Sequence, residues 1–293
     1  MSVVVPSSLL PASAVPAFRG RIGRDAASGH YAVPFRYRLH IAPADPDCLA
    51  IAVTHGLLGL DATLPLRLLP EVPDAPDGSY DALRPLYEAS AHLYTGPAAA
   101  PVLGDDWTGR IVTTHVPDIL RDLALRFRGD GPELLPEEHG RETDALAALC
   151  EDGIHRAAQR AGELGLDPAP GARGDAAEAL GALFGALGEL DARVAGRPYV
   201  LGDAPTLADV YVWCALVRLD TVHRWHLDAE AVRRVAGHRA LWAYAQRLAA
   251  RPEFGRHLDV PAVLRRHRAH CAGREAAGAA IGIVDWGAAG TGR

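Results

Sequence analysis

Gly202-Asp-Ala-Pro-Thr-Leu-Ala-Asp-Val-Tyr-Val-Trp213 is the stretch from which the fold can be read. Thr206 stands three residues before Asp209, the spacing of a capping box. The Thr206 hydroxyl can accept from the Asp209 N–H while the Asp209 carboxylate reaches back to the Thr206 N–H. Thr206 and Asp209 are therefore determinants of fold, not catalysts. The helix they open, over 207–227, is apolar almost all round, which suits only the centre of a helical domain. Around it, residues 136–270 read as long amphipathic helices with polar breaks, at 137–163, 174–195, 207–227, 238–250 and 260–270.

Before the Gly129-Asp-Gly-Pro132 break the texture differs. Residues 37–41 (YRLHI) alternate as a strand does. A helix follows from Pro46 to Leu60, with Asp45 as N-cap and Pro46 at the first helical position. A second strand fits 63–68, then a Pro/Gly/Asp-rich loop around 69–80. Residues 101–103, 104–109 and 110–114 read as strand, turn and strand, and a helix fits 116–127. The order β-α-β then β-β-α is that of a thioredoxin-like domain. The expected division is an N-terminal extension (1–30), an α/β thioredoxin-like domain (31–128), an all-α domain (133–272) and a tail (273–293).

Composition excludes several classes of function. All 30 cationic residues are arginine, and neither lysine nor asparagine occurs. Schiff-base chemistry and a P-loop lysine are thus excluded. A GC-rich genome accounts for both absences, since the missing residues have A-rich codons. Net charge is −6, which argues against a nucleic-acid or anionic-membrane partner. No apolar run is long enough to span a bilayer, and the first residues lack a basic segment, so the chain reads as cytoplasmic. The four cysteines, Cys48, Cys150, Cys214 and Cys271, are scattered, which suits isolated thiols in a reducing compartment.

An α/β unit followed by a helical domain with a buried capping box resembles the glutathione transferases. Within them the chain resembles the glutathionyl-hydroquinone reductases, or Xi class. Phe18-Arg-Gly-Arg-Ile22 is similar to that family's lead-in, Pro101-Val-Leu103 to its proline turn, and Thr108-Gly-Arg-Ile-Val112 to its fourth strand. Leu207–His226, Leu241-Trp-Ala-Tyr244 and Gly282-Ile-Val284 resemble its helical domain and tail. The resemblance implies a homodimer, a small-molecule cleft between the domains, and a cis proline at Pro101. It also places Asp45 where the family has its nucleophilic cysteine and Asp47 where it has a tryptophan. His115 falls on a glutathione-clamping glutamate. Of two tyrosines lining the hydroquinone pocket, one falls on Gln159 and the other on Arg268 or Ala269.

A carboxylate cannot perform thiol exchange. The expectation is therefore an enzyme that acts on an aromatic, quinone-like or electrophilic metabolite by acid/base chemistry: isomerisation, elimination, cyclisation or thiol addition. Such chemistry suits specialised metabolism in a high-GC bacterium. Asp45, His40 and His115 are the candidate catalysts, since a histidine paired with a carboxylate makes an acid/base couple. Asp47, Pro101, Val102, Gln159, His223, His226 and Arg268 are candidates for substrate binding. Arg218 and Asp220 read as structural, within an interface or a buried ion pair. His223 and His226 have ligand spacing, yet no third ligand stands at a suggestive distance, so no metal is expected. Arg265, Arg266 and Arg268, around His267 and His270, read as a solvated basic face, with a clamp for an anionic ligand as the alternative. No cofactor is expected, and the rewritten residues speak against glutathione. Two alternatives stay open: a non-catalytic binding module, and a residual glutathione or mycothiol transferase.

Overall fold

The computed structural model describes residues 18–127, 129–165, 171–271 and 273–286. In the N-terminal part, β1 (Tyr37–Ile41) is central to a four-stranded sheet of order β2-β1-β3-β4. β1 runs parallel to β2 (Leu66–Leu68) and antiparallel to β3 (Val102–Asp105), which turns into β4 (Arg110–Thr113). α1 (Pro46–Leu57) and α3 (Val116–Arg126) pack on each other, and α1 also packs on β1. α2 (Arg84–Ser90) covers the opposite face, its Leu86 reaching toward Gly104 and His40. The thioredoxin-like expectation is met. The second strand is shorter than 63–68, and α2 was not among the expected elements.

Alternation in β1 decides which side chains can meet. Tyr37, Leu39 and Ile41 are fully buried. Arg38 and His40 take the other face, on the side of α2. The lead-in at 18–23 lies along β4: the Gly20 N–H donates to the Val112 carbonyl at 2.8 Å. Arg19 reaches Asp118, Arg21 forks onto Asp122, and the Ile22 N–H donates to the same Asp122 carboxylate at 2.7 Å. Of the expected 1–30 extension, residues 1–17 lie outside the described residues. The break at 129–132 runs over the end of α1, where the Gly131 N–H donates to the Leu58 carbonyl. A side chain at Gly129 or Gly131 would strike the last carbonyls of α1, which explains the two glycines there.

The helical part begins with α4 (Gly140–Ala148), a π-helical segment (Leu149–Arg156) and α5 (Ala157–Gly165), which together form one continuous rod. α6 (Ala172–Val194) packs antiparallel beside it across the undescribed 166–170. α7 (Leu207–Thr221) is the central helix, followed by a 3₁₀ turn, His223–His226. α8 (Ala229–Ala236), α9 (Arg239–Ala249), the single turn α10 (Pro252–Gly255) and α11 (Val260–Cys271) complete the domain. α8 and the π segment were not expected. In the expected 273–293 tail, Trp286 packs edge-on against Trp213 and donates to Asp220 at 2.8 Å. Residues 287–293 lie outside the described residues. Among the described residues no helix is long and apolar enough to cross a membrane.

The capping box holds this domain together. The buried Asp209 carboxylate accepts from the Thr206 N–H (2.8 Å), the Thr206 hydroxyl (3.0 Å), the Val200 N–H (2.8 Å) and the Tyr244 hydroxyl (2.7 Å). It thus joins the loop before α7 to α9. Burial nonetheless raises its pKa, because no cation faces it. Asp209→Ala leaves the Val200 N–H and the Tyr244 hydroxyl without an acceptor. We expect it to cost about 3 kcal/mol or more, against about 1 kcal/mol for Thr206→Ala, both read by urea unfolding. Equal losses in the two variants would show that the cap alone, and not the four-donor hub, carries the stability.

Candidate active site

Two ion pairs cross from one domain to the other at the start of α1. Asp45 is the N-cap in extended geometry, and its Oδ1 accepts from the Asp47 N–H at 2.9 Å. Its Oδ2 accepts from Arg266 of α11 at 2.8 Å. Both side chains are under one-fifth exposed. Arg266 also donates to the Tyr80 hydroxyl (2.6 Å) and the Glu71 carbonyl (3.2 Å), and neighbouring Arg265 forks onto the Glu71 carboxylate. The facing Asp45 and Tyr80 outweigh burial and hold the Arg266 guanidinium charged. Burial pushes the Tyr80 hydroxyl up to about 12.

The second pair joins Asp47 to Arg218 of α7 at 3.2 Å. Half of the Asp47 side chain is open to solvent, so it lies at the surface and not in the core. Crowding by protein, with Asp45 and Glu151 nearby, raises its carboxyl pKa despite Arg218. Arg218 and Asp220 are not partners of each other. Asp220 takes Arg224 at 2.9 Å.

Behind Arg218 lie two histidine pairs. His155, on the π segment, has Nδ1 2.8 Å from Nε2 of His223. His226 has Nε2 3.0 Å from Nε2 of His267, and its Nδ1 lies 2.7 Å from the Arg274 carbonyl. A carbonyl only accepts, so His226 Nδ1 carries a proton. Neutral His226 therefore accepts at Nε2 from the Nε2–H of His267. Burial, then neighbouring cations and rings, keeps these histidines neutral: His155 falls to about 3, His267 to about 4, and His223 well below its ordinary value. Among the described residues, no group of three or more His, Cys, Asp or Glu is placed to hold a metal ion.

The other expected site residues lie apart. His40 is on the sheet face away from α1, so alternation in β1 separates it from Asp45. His115 caps α3, with Nδ1 2.9 Å from Asp118, which is bound in turn by Arg19. No hydrogen bond or ion pair joins either histidine to Asp45 among the described residues, so neither expected acid/base couple is assembled. The Ala100–Pro101 bond is cis, and the Val102 side chain is in the core. Gln159 donates to Glu163, one turn from His155. Arg268 lies over the Trp225 ring at 5.0 Å. All four cysteines are buried, and burial raises the Cys48, Cys150 and Cys214 thiols.

Arg266 corrects the expectation of a solvated basic face. Ala262, Val263, His267 and Cys271 are the buried residues of α11. Arg266, four after Ala262 and three after Val263, falls on their side of the helix. That spacing was the available signal. His155 had none, because its direction depends on the π register.

The comparisons agree with this architecture. The glutathione S-transferase C-terminal domain family matches residues 157–247. The glutathionyl-hydroquinone reductase PcpF of Sphingobium chlorophenolicum is 27% identical over 278 residues, covering 93% of this chain and 85% of PcpF. The Xi-class glutathione transferase from Natrialba magadii superposes with a TM-score of 0.75 at 23% identity, over 88% of this chain and 82% of that one. The glutathione-bound structure of YqjG, a glutathione transferase homolog from Escherichia coli K-12, gives 0.73 at 21% identity, over 87% and 88%.

The neutral histidines set a dependence on pH. An unfolded histidine protonates as pH falls through about 6.5, whereas folded His155 resists until about 3. Between those values the unfolded chain binds more protons, so stability drops as pH drops, by about 1.4 kcal/mol per unit for one such histidine. Wild type should lose that much more than His155→Gln over the window, and no more above pH 6.5. The raised carboxyl pKa values of Asp47 and Asp209 act with the opposite sign in both proteins and cancel in the difference. Parallel profiles from urea unfolding would mean that His155 is not held neutral.

Proposed function

We propose, from these likenesses to the glutathione transferases and to the Xi class among them, an enzyme of that superfamily that has left cysteine-based thiol exchange. It acts on a small aromatic, quinone-like or electrophilic metabolite bound in the cleft between the domains. The reading rests chiefly on the end of α1. A carboxylate–guanidinium pair, Asp45 with Arg266, stands at the position that the resemblance gives to the nucleophile, and no thiol is open to solvent. Burial raises the Cys48, Cys150 and Cys214 thiols, so none of these three supplies a thiolate near neutral pH.

The chemistry left to the cleft is acid/base. Asp47 stands half open to solvent beside the N-terminus of α1, with Arg218 next to it, which suits a carboxyl group that exchanges a proton with a ligand. Arg266 and Arg218, beside the positive end of α1, suit an oxygen that gains negative charge, as in an enolate or a phenolate. Asp45 holds Arg266 in place and becomes a base only when Arg266 swings away. A thiol approaching α1 has to displace that same pair. The glutathione held by YqjG therefore does not transfer directly to this chain. Two copies associating as a homodimer, checked by light scattering, form part of the proposal.

The tests separate these roles. Wild type should not reduce a glutathionylated hydroquinone with glutathione above the uncatalysed rate, and calorimetry should show no glutathione binding. Reduction that disappears in Cys48→Ser would restore thiol exchange and overturn the reading. With a quinone-like substrate in hand, Asp47→Ala should lower kcat by about 100-fold or more with little change in KM. Full activity of both Asp47→Ala and Asp45→Ala would remove the acid/base role. Ligand binding with no turnover would place the protein among non-catalytic binders.

A further inference from the structure

The opposite face of the sheet carries a second groove, of about 810 Å³, lined by groups that the cleft does not use. The β1 register assembles it. Arg38 and His40 point to this face, and Arg67 of β2 lies directly beside His40. Gly104 is paired with Arg38 on the other side, so no side chain fills the floor there. The wall above is apolar, formed by Leu66, Pro85 and Leu86.

His40 gives this groove its chemical character. The residue is only 6% exposed, and its Nδ1 is enclosed without a hydrogen-bond partner. A bare ring lone pair in that place costs less than a stranded N–H, so the proton belongs on Nε2. Nε2 lies 3.7 Å from the position a side chain at Gly104 would begin, on the open floor. Arg67 has no hydrogen bond or ion pair among the described residues. Arg38 is engaged by Asp106 at 2.9 Å, but a guanidinium has donors to spare. One ring N–H and two guanidinium groups thus line one groove, together with a single carboxylate, Asp106.

We propose that this groove is a binding site for a small phosphate monoester, separate from the catalytic cleft. Two permanently charged guanidinium groups and a ring N–H suit a phosphate dianion with three terminal oxygens better than a singly charged carboxylate with two. The apolar wall beside them takes the organic group of the ester. The volume is that of an ordinary small-molecule site.

Phenyl phosphate is the probe, with benzoate and inorganic phosphate as comparison ligands, titrated into the full-length ¹⁵N-labelled protein and followed by NMR. Phenyl phosphate should shift the His40 ring and the Arg67 amide saturably, more tightly than inorganic phosphate and much more tightly than benzoate. Arg67→Ala, at an exposed position where folding is not at risk, should weaken phenyl phosphate about tenfold or more. His40→Phe should weaken it as well, while Asp45→Ala should leave the affinity unchanged. The proposal is overturned by the absence of saturable binding, by binding that Arg67→Ala does not weaken, or by benzoate binding as tightly as phenyl phosphate.

Discussion

The ion pair of Asp45 with Arg266 ties the first helix of the α/β domain to the last helix of the α domain. Bringing both charges out of water is costly, and their mutual attraction offsets that cost only where further hydrogen bonds satisfy the remaining donors. Here they do. Asp45 also accepts from the Asp47 N–H, and Arg266 also serves Tyr80 and the Glu71 carbonyl. Arg218 with Asp47, two residues further on, repeats the arrangement nearer solvent. Positive and negative groups therefore alternate across the domain boundary. A ligand entering there meets a preassembled polar surface and not an oily pocket.

The residues that made the fold legible are those whose information is local. Tyr37–Ile41 alternates, and it forms a strand with those limits. Thr206 and Asp209 cap a helix wherever they occur at that spacing. Asp45-Pro46 announces a helix start, and the helix starts there. The elements missed have weak local signals. α2 is seven residues long and follows a stretch of Pro, Gly and Asp. α8 has only eight residues. The π segment differs from α-helix in hydrogen-bond register, which leaves no mark on the pattern of apolar residues.

The site was less legible, because its pairings span long stretches of chain. Asp45 could be named from its position, but Arg266, its partner, is 221 residues away. His40 and His115 were reasonable partners by type, and the sheet face and the N-terminus of α3 keep them elsewhere. The all-arginine composition has its own consequence. Arg266 reaches three acceptors from one planar group, and Arg21, Arg36 and Arg265 each fork onto a carboxylate. A lysine ammonium has no such fork. Whatever drove lysine out of this sequence, the fold now depends on guanidinium geometry.

The π segment at 149–156 acts as a phase shift in an otherwise regular rod. Widening the helix there turns everything after it about the axis relative to everything before it. α4 meets α7 with one set of side chains. Past the segment, His155 meets His223, and Gly162 lies so close to His226 that even a methyl group at that position would collide. Were the same eight residues to wind as regular α-helix, α5 would turn by about 100° about the axis. The histidine pair would come apart and a bulkier side chain would be driven at His226. The hydrogen-bond register of this one stretch, more than the identity of most residues in it, is what keeps the two halves of the rod in phase with their neighbours.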